Sequence, residues 1–118
     1  RARADAPTWV YQVDFQSPTE PRRGAPHAMD IALSFGTLDA PGSFSGTGAR
    51  AREISVEMMQ AFSGLARSGT PGLPEWSNYR LPERATLVIG EERTAMVDDP
   101  RKWQRELWAK APYIQPGT

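Results

Sequence analysis

The sequence predicts an α/β protein, because strand-like and helix-like segments alternate along its 118 residues. An aromatic and β-branched run comes first, and a long segment with apolar residues at helical spacing follows. Two short β-branched runs around a turn and a second helical segment complete the pattern. Strands with helices between them build a sheet covered by helices, and we expect that architecture here.

The first strand is predicted over residues 9–15. Its apolar side chains alternate and therefore share one face: Trp9, Tyr11, Val13 and Phe15. The proline-rich segment 17–26 predicts a loop, and His27 stands at its end. The apolar segment 30–35 fits either a short helix or an extended stretch, and its pattern does not decide between them.

A small, glycine-rich segment, 37–48, predicts a surface loop before a long helix over 49–67. This helix places four apolar side chains on one face: Ile54, Met58, Phe62 and Leu65. Arg67 in the last turn and Gly69 beyond it are typical of a helix end. Gly64 inside the helix lowers its intrinsic stability by about 1 kcal/mol relative to alanine.

A β-hairpin is predicted near the end of the chain, from segments 86–89 and 94–97 around a glycine-containing turn. Asp99 as N-cap and Pro100 as the first helical residue then predict a final helix to about residue 110. One face of this helix carries two apolar side chains, Trp103 and Leu107.

Composition excludes several classes of partner. Acidic and basic residues number 14 each, so no net field attracts nucleic acid or an anionic membrane. The sequence contains no cysteine, which excludes disulfides and thiolate metal sites and fits either the cytosol or a disulfide-free secreted protein. No apolar run has the length of a transmembrane helix. We expect a soluble protein without nucleic-acid or membrane partners, with a cytoplasmic location slightly favoured.

Two glycine-containing motifs do not indicate a site. Residues 46–51, Gly-Thr-Gly-Ala-Arg-Ala, fit a loose dinucleotide fingerprint, but that loop requires a preceding strand, and 39–42 has no strand pattern. Residues 42–46, Gly-Ser-Phe-Ser-Gly, look like a nucleophile elbow, but Phe44 holds the position that the serine needs. The favoured interpretation is a surface loop, and no cofactor is expected.

His27 is the only histidine of the sequence and the main candidate for chemistry. A single histidine beside an apolar segment is more often a surface or structural residue than a catalyst. His27 and Asp30 together fall short of the three or four ligands of a metal site. The residues themselves leave a catalytic and a structural role open, and no metal is expected.

The segments around His27 resemble the type-B carboxylesterase family. Residues 24–36, Gly-Ala-Pro-His-Ala-Met-Asp-Ile-Ala-Leu-Ser-Phe-Gly, are similar to the family's histidine motif, in which Gly-Ala-x-His leads through an acidic residue to Phe-Gly. Other segments resemble the family in the same order: 9–15 its strand before the histidine loop, 59–71 its Phe-Ala-Arg-x-Gly-x-Pro helix end, 74–79 its Trp-Pro-x-Tyr stretch, and 85–90 its last core strand. The resemblance covers residues 7–99.

This resemblance implies an α/β-hydrolase fold, in which helices flank a central, mostly parallel sheet. Residues 1–118 would form the C-terminal portion of a single domain and not an autonomous domain. The family's Gly-x-Ser-x-Gly elbow, acidic triad member and oxyanion loop precede this region, and none is found in this sequence. The sequence departs from the family at Asp30, where glutamate is usual, and at Ser77, where proline is usual.

The resemblance also implies roles for two residues. His27 would be the general base of a serine hydrolase, taking a proton from a serine on a larger N-terminal chain of the same precursor and returning it to the leaving group. Asp30 would steady the loop or a bound water, because the family takes its triad acid from an earlier loop. The substrates would be small-molecule esters, carbamates or amides.

Two other interpretations stay open. The chain could be a non-catalytic esterase-like protein, or a small binding or structural domain with incidental similarity. Strand order discriminates between the small domain and the esterase, because a self-contained domain closes its own sheet, whereas an esterase portion needs neighbouring strands. The retained His27 argues mildly against the non-catalytic esterase-like protein.

Overall fold

A computed structural model describes residues 6–111, and segments 1–5 and 112–118 of the predicted 1–118 domain portion lie outside that range. The elements in chain order are β1 (Tyr11–Val13), α1 (Met29–Phe35), α2 (Ala49–Ser68), β2 (Ala85–Ile89), β3 (Thr94–Asp98) and α3 (Lys102–Trp108), with a short 3-10 turn at Pro21–Arg23 before α1. The alternation of strands and helices confirms the α/β class.

The three strands form one mixed sheet in the order β1–β2–β3. β1 and β2 run parallel, with Tyr11 opposite Leu87, and α1 and α2 lie in the crossover between them. β2 and β3 are antiparallel, with Ile89 opposite Thr94, which confirms the predicted hairpin. β1 therefore occupies an edge of the described sheet, where β2 is its single strand neighbour.

The main core lies between this sheet and the helices α1 and α2. Its buried members come from the segment just after β1, from both helices and from β2: Phe15, Met29, Leu33, Ala51, Ile54, Met58 and Ile89. A second cluster lies toward the other end of α2 and contains Ala61, Leu73, Trp76 and Leu87. The buried residues of β2 join the two clusters into a continuous apolar layer under α2.

The predicted apolar face of α2 is buried in its first half and partly exposed in its second. Ile54 and Met58 are buried, but Phe62 is 37% exposed and Leu65 is 39% exposed. The second half of the helix lies beside the edge strand β1, where the ring of Phe62 meets the edge of the Tyr11 ring at a centroid distance of 6.1 Å. Ala61 in this half is buried in the second cluster, whereas Phe62 and Leu65 are only partly covered by the described residues.

Gly64 has a packing role that the sequence did not reveal. A Cβ atom at this position would lie 2.3 Å from the backbone nitrogen of Gly72, so the loop after α2 crosses the helix in direct backbone contact. The side-chain amide of Gln60 donates to the Gly72 carbonyl at 2.7 Å and holds the crossing. The helix ends as predicted, with Gly69 left-handed and its N–H bonded to the Leu65 carbonyl.

β1 is shorter than the predicted strand over 9–15, because the chain leaves the ladder after Val13. The N–H groups of Asp14 and Phe15 both donate to the Ile89 carbonyl, each at 2.9 Å. Two donors on one acceptor break the regular alternation of a parallel ladder. Phe15 still points into the core and is 5% exposed, so the predicted apolar face extends beyond the regular strand.

The predicted start of α3 is wrong. Pro100 is not its first residue, since Arg101 is the N-cap and the helix begins at Lys102. Asp99 has a left-handed φ of 46°, and its carboxylate accepts hydrogen bonds from Nε and Nη2 of Arg105 at 3.1 and 2.5 Å. The Arg105 hydrogen bond lowers the pKa of the Asp99 carboxyl. Asp99 is thus engaged by a guanidinium instead of capping the helix.

The apolar side chains of α3 face outward. Trp103 is 66% exposed, Leu107 is 57% exposed and Trp108 is 73% exposed. Within residues 6–111, every helix is too short or too polar to cross a membrane.

Candidate functional site

His27 lies in the connection between the carboxyl end of β1 and the start of α1, and its side chain is exposed. The helix that follows decides the open question about 30–35, because Met29–Phe35 is helical. Met29 is 1% exposed and Leu33 is fully buried, so α1 is anchored in the core. Ala28 is left-handed, with a φ of 65°, and it turns the chain from the exposed imidazole to the buried Met29.

The loop before His27 is closed on itself by short hydrogen bonds. The N–H of Ser17 donates to the Gly24 carbonyl at 2.8 Å. Gly24 has a φ of 61°, a conformation that glycine adopts without steric cost, and its N–H donates to the Pro21 carbonyl. Both ends of the segment that presents His27 are therefore fixed, one by this loop and one by α1.

Asp30 stands in the first turn of α1 and is bound to β1. The hydroxyl of Tyr11 donates to Asp30 Oδ2 at 2.8 Å. Tyr11 is itself held by edge-on contacts with the rings of Phe62 and Trp76, and the indole N–H of Trp76 donates to the Val10 carbonyl at 3.1 Å. The two candidate residues flank the start of α1, with His27 before the helix and Asp30 in its first turn. Within the described residues, no hydrogen bond joins their side chains.

Burial and the neighbouring Asp30 carboxylate raise the pKa of Tyr11 to about 12. Both causes disfavour the phenolate, the first by desolvation and the second by hydrogen bonding and charge repulsion. Tyr11 is therefore a neutral hydrogen-bond donor to Asp30 throughout the physiological range. The aspartate is tied to the strand by a partner that does not change its charge there.

We expect this coupling to be visible in an alkaline titration. The folded-state pKa of Tyr11 exceeds the ordinary value of 10.0, so its contribution to stability is complete below pH 10 and is lost as the pH rises from 10 to 12. The measurement is the phenolate absorbance of the complete protein as the pH rises, for the wild type and for the Tyr11→Phe variant. The difference between the two curves reports Tyr11, and it should appear near pH 12. A difference that appears near pH 10 would contradict the assignment, and Tyr79→Phe is the matched control.

The motifs set aside in the sequence remain outside the site. The glycine-containing segment 42–48 precedes α2 as a loop, with no strand in 37–48. Phe44 is left-handed, with a φ of 58°, and presents a ring where an elbow would present a nucleophile. Residues 6–111 hold no cluster of three or more histidine, aspartate or glutamate side chains placed to bind a metal ion.

Sequence reasoning missed two hydrogen bonds, one from the Tyr11 hydroxyl to Asp30 and one from the Ser17 hydroxyl to the Phe44 carbonyl. Tyr11 was assigned only to the apolar face of a strand, although a phenol among buried side chains usually finds a hydrogen-bond partner. Ser17 and Phe44 carry no local signal for their contact, because they are 27 residues apart in the chain.

Comparisons with known proteins find similarity to carboxylesterases. No protein-family model matches the sequence. Para-nitrobenzyl esterase of Bacillus subtilis (strain 168) is 27% identical over 105 residues, which cover 86% of this chain and 21% of that protein. Carboxylesterase 4A of Bos taurus is 28% identical over 108 residues, covering 78% of this chain and 19% of that protein. A solved carboxylesterase structure from Geobacillus stearothermophilus matches with a TM-score of 0.67 and 29% identity, covering 85% of this chain and 21% of that one.

The mixed sheet, its covering helices and this structural likeness define the chain as part of an α/β-hydrolase fold. Within that class, the chain is similar to carboxylesterases of the type-B family. It spans about a fifth of the length of these relatives, at 21% and 19% of the two curated proteins.

Proposed function

We propose that this chain supplies the general-base histidine of a serine carboxylesterase, and that His27 is that histidine. The observation that carries the proposal is its placement: an exposed imidazole in the connection after a strand, with a closed loop before it and a core-anchored helix after it. Catalytic residues of α/β folds gather outside the carboxyl ends of the strands. The motif around His27 supports the same assignment.

The proposed reaction is acyl transfer in two steps. A serine oxygen from the preceding portion of the protein attacks the ester carbonyl while His27 accepts the serine proton, and His27 then gives that proton to the departing alcohol. Water repeats the sequence on the acyl-enzyme and releases the acid. Esters are the substrate class that the relatives' names support, and carbamates and amides would follow the same proton transfers.

Asp30 is proposed as a positioning residue for the His27 connection and not as the triad acid. Its carboxylate accepts the Tyr11 hydroxyl at 2.8 Å. This bond ties the first turn of α1 to β1, so the residue three positions after His27 is held to the sheet. The acid that orients the imidazole would then come from the preceding portion, as would the oxyanion hole.

A larger N-terminal portion of the same precursor is the proposed partner. Three observations support it: the edge position of β1, the partly exposed side chains of Phe62 and Leu65 on α2, and the span of 21% of an esterase relative. An apolar groove of about 410 Å³ lies along this edge and is lined by Trp9, Tyr11, Phe62, Leu65, Pro71 and Trp76 among others. Burying such surface is favourable by about 25 cal/mol per Å² of apolar area.

The test compares the chain alone with the complete protein. We expect no saturable hydrolysis of p-nitrophenyl acetate by the 118-residue chain, because it holds the base without the nucleophile. The complete protein should hydrolyse this ester with saturable kinetics and should lose activity when an organophosphonate blocks its serine. Saturable hydrolysis by a homogeneous preparation of the 118-residue chain would overturn the proposal.

A further inference from the structure

Two loops of the chain contact each other through the segment that leads to His27. The histidine loop, residues 14–26, runs from β1 toward His27, and the α1–α2 loop, residues 37–48, connects the two helices. Their contact is polar and centred on one buried side chain, Ser17, which is 1% exposed. Hydrogen bonds made by a buried side chain fix a geometry that loop sequences alone leave free.

Ser17 uses both its amide and its hydroxyl in this contact. The N–H donates to the Gly24 carbonyl at 2.8 Å. The hydroxyl donates to the Phe44 carbonyl at 2.7 Å and accepts the Glu20 N–H at 3.0 Å. One side chain thus closes the histidine loop at Glu20 and ties it to the α1–α2 loop at Phe44.

The α1–α2 loop is held by contacts within itself and with the histidine loop. The Ser43 hydroxyl donates to the Leu38 carbonyl at 2.8 Å and closes this loop across its width. The guanidinium of Arg23 lies over the Phe44 ring, 5.2 Å from its centroid, which adds a cation–π contact to the hydrogen bond. Gly46 packs on Pro18 so closely that a Cβ would lie 2.7 Å from the proline ring.

We propose that Ser17 is a positioning residue for His27, acting through the contact between the histidine loop and the α1–α2 loop. The proposal rests on the proposed function, since it assigns Ser17 a role in placing the general base. Without the Ser17 hydroxyl, the Glu20 N–H loses its acceptor and the Phe44 carbonyl keeps only the longer hydrogen bond from the Thr19 hydroxyl, at 3.4 Å, so the loop that carries His27 gains freedom. A displacement of about 1 Å in a reacting group costs about a hundredfold in rate.

The test uses a pair of alanine variants in the complete protein, Ser17→Ala and Ser45→Ala. Ser45 is the matched control, because it is fully buried in the neighbouring loop and its hydroxyl has no hydrogen-bond partner within residues 6–111. The probe is an alkyl fluorophosphonate, on which the active-site serine displaces fluoride from phosphorus while His27 accepts the serine proton. The labelling rate reports the placement of the base, and the final stoichiometry reports the fraction of intact sites.

We expect Ser17→Ala to lower the labelling rate and kcat by about tenfold to a hundredfold, with KM changed less than about threefold and full final stoichiometry. Ser45→Ala should behave as wild type. Ser17→Cys, whose thiol is a weaker donor, should have a labelling rate between those of Ser17→Ala and wild type. If the alanine variant does not fold, the cysteine variant is used in its place. A loss in stoichiometry at an unchanged labelling rate would show a purely structural role and overturn the proposal.

The His27→Ala variant separates the two proposals. If His27→Ala is inert and Ser17→Ala labels at the wild-type rate, the role of Ser17 is wrong and the proposed function stands. If His27→Ala itself labels at the wild-type rate, the proposed function is wrong and the role of Ser17 falls with it.

Discussion

Replacing His27 with alanine in the complete protein is expected to remove nearly all turnover. A general base contributes about 10²–10⁴-fold to a rate, and more where it acts as a unit with the nucleophile that it deprotonates. Substrate binding should survive, because the exposed imidazole is not part of either buried cluster. The measurement is kcat and KM for p-nitrophenyl acetate, and full activity in the variant would refute the assignment.

A further variant of the same protein sharpens this result. Asp30→Asn should be milder than His27→Ala, because it weakens the acceptor of the Tyr11 hydroxyl and leaves the base in place. A loss equal to that of His27→Ala would mean that Asp30 is the triad acid.

The 118-residue chain alone is expected to lack a cooperative thermal transition. β1 lies at an edge of its sheet, and apolar side chains of α2 and α3 are exposed in the chain alone, so part of the apolar surface that would stabilise the fold is not buried. Trp103 and Trp108 are 66% and 73% exposed, so tryptophan emission should be red-shifted in the isolated chain. Adding the preceding portion should bury the apolar faces and move the emission to the blue.

The same experiment has a clear contrary outcome. A cooperative transition with blue-shifted emission from the 118-residue chain alone would show an autonomous domain and would favour the binding-domain interpretation. Trp103→Phe and Trp108→Phe serve as matched variants, because each removes one exposed indole. If the preceding portion covers α3, each variant should reduce the blue shift on mixing.

Local signals predicted the regular parts of this fold. The apolar spacing of α2 and the glycine after it predicted a helix end close to the observed one, with Gly69 as the C-cap. The β2–β3 hairpin was also predicted from its own residues and the turn between them. The start of α3 was wrong because Asp99 turns to Arg105 six residues away instead of capping. Such a choice depends on the fold around the residue and not on its neighbours in sequence.

The sequence predicts candidate site residues but not their contacts. The motif identified His27 and Asp30, while the partner of Asp30 is Tyr11, 19 residues earlier. The role of Gly64 was likewise not predicted, because it depends on the Gly72 backbone that packs against it in the folded chain. Patterns along a chain report faces and ends of elements, and contacts between loops appear only when the elements are packed.

The edge position of β1 makes assembly and chemistry depend on the same place in the molecule. The strand that leads to His27 is the outermost strand of the described sheet, while β3 closes the hairpin at the opposite edge. A parallel strand added from the preceding portion would therefore border β1 and bring its own carboxyl end toward the His27 connection. Under the proposed function, the interface between β1 and the preceding portion both completes the sheet and assembles the catalytic residues. If the protein is cut before β1, its two parts should regain structure and turnover together when they associate.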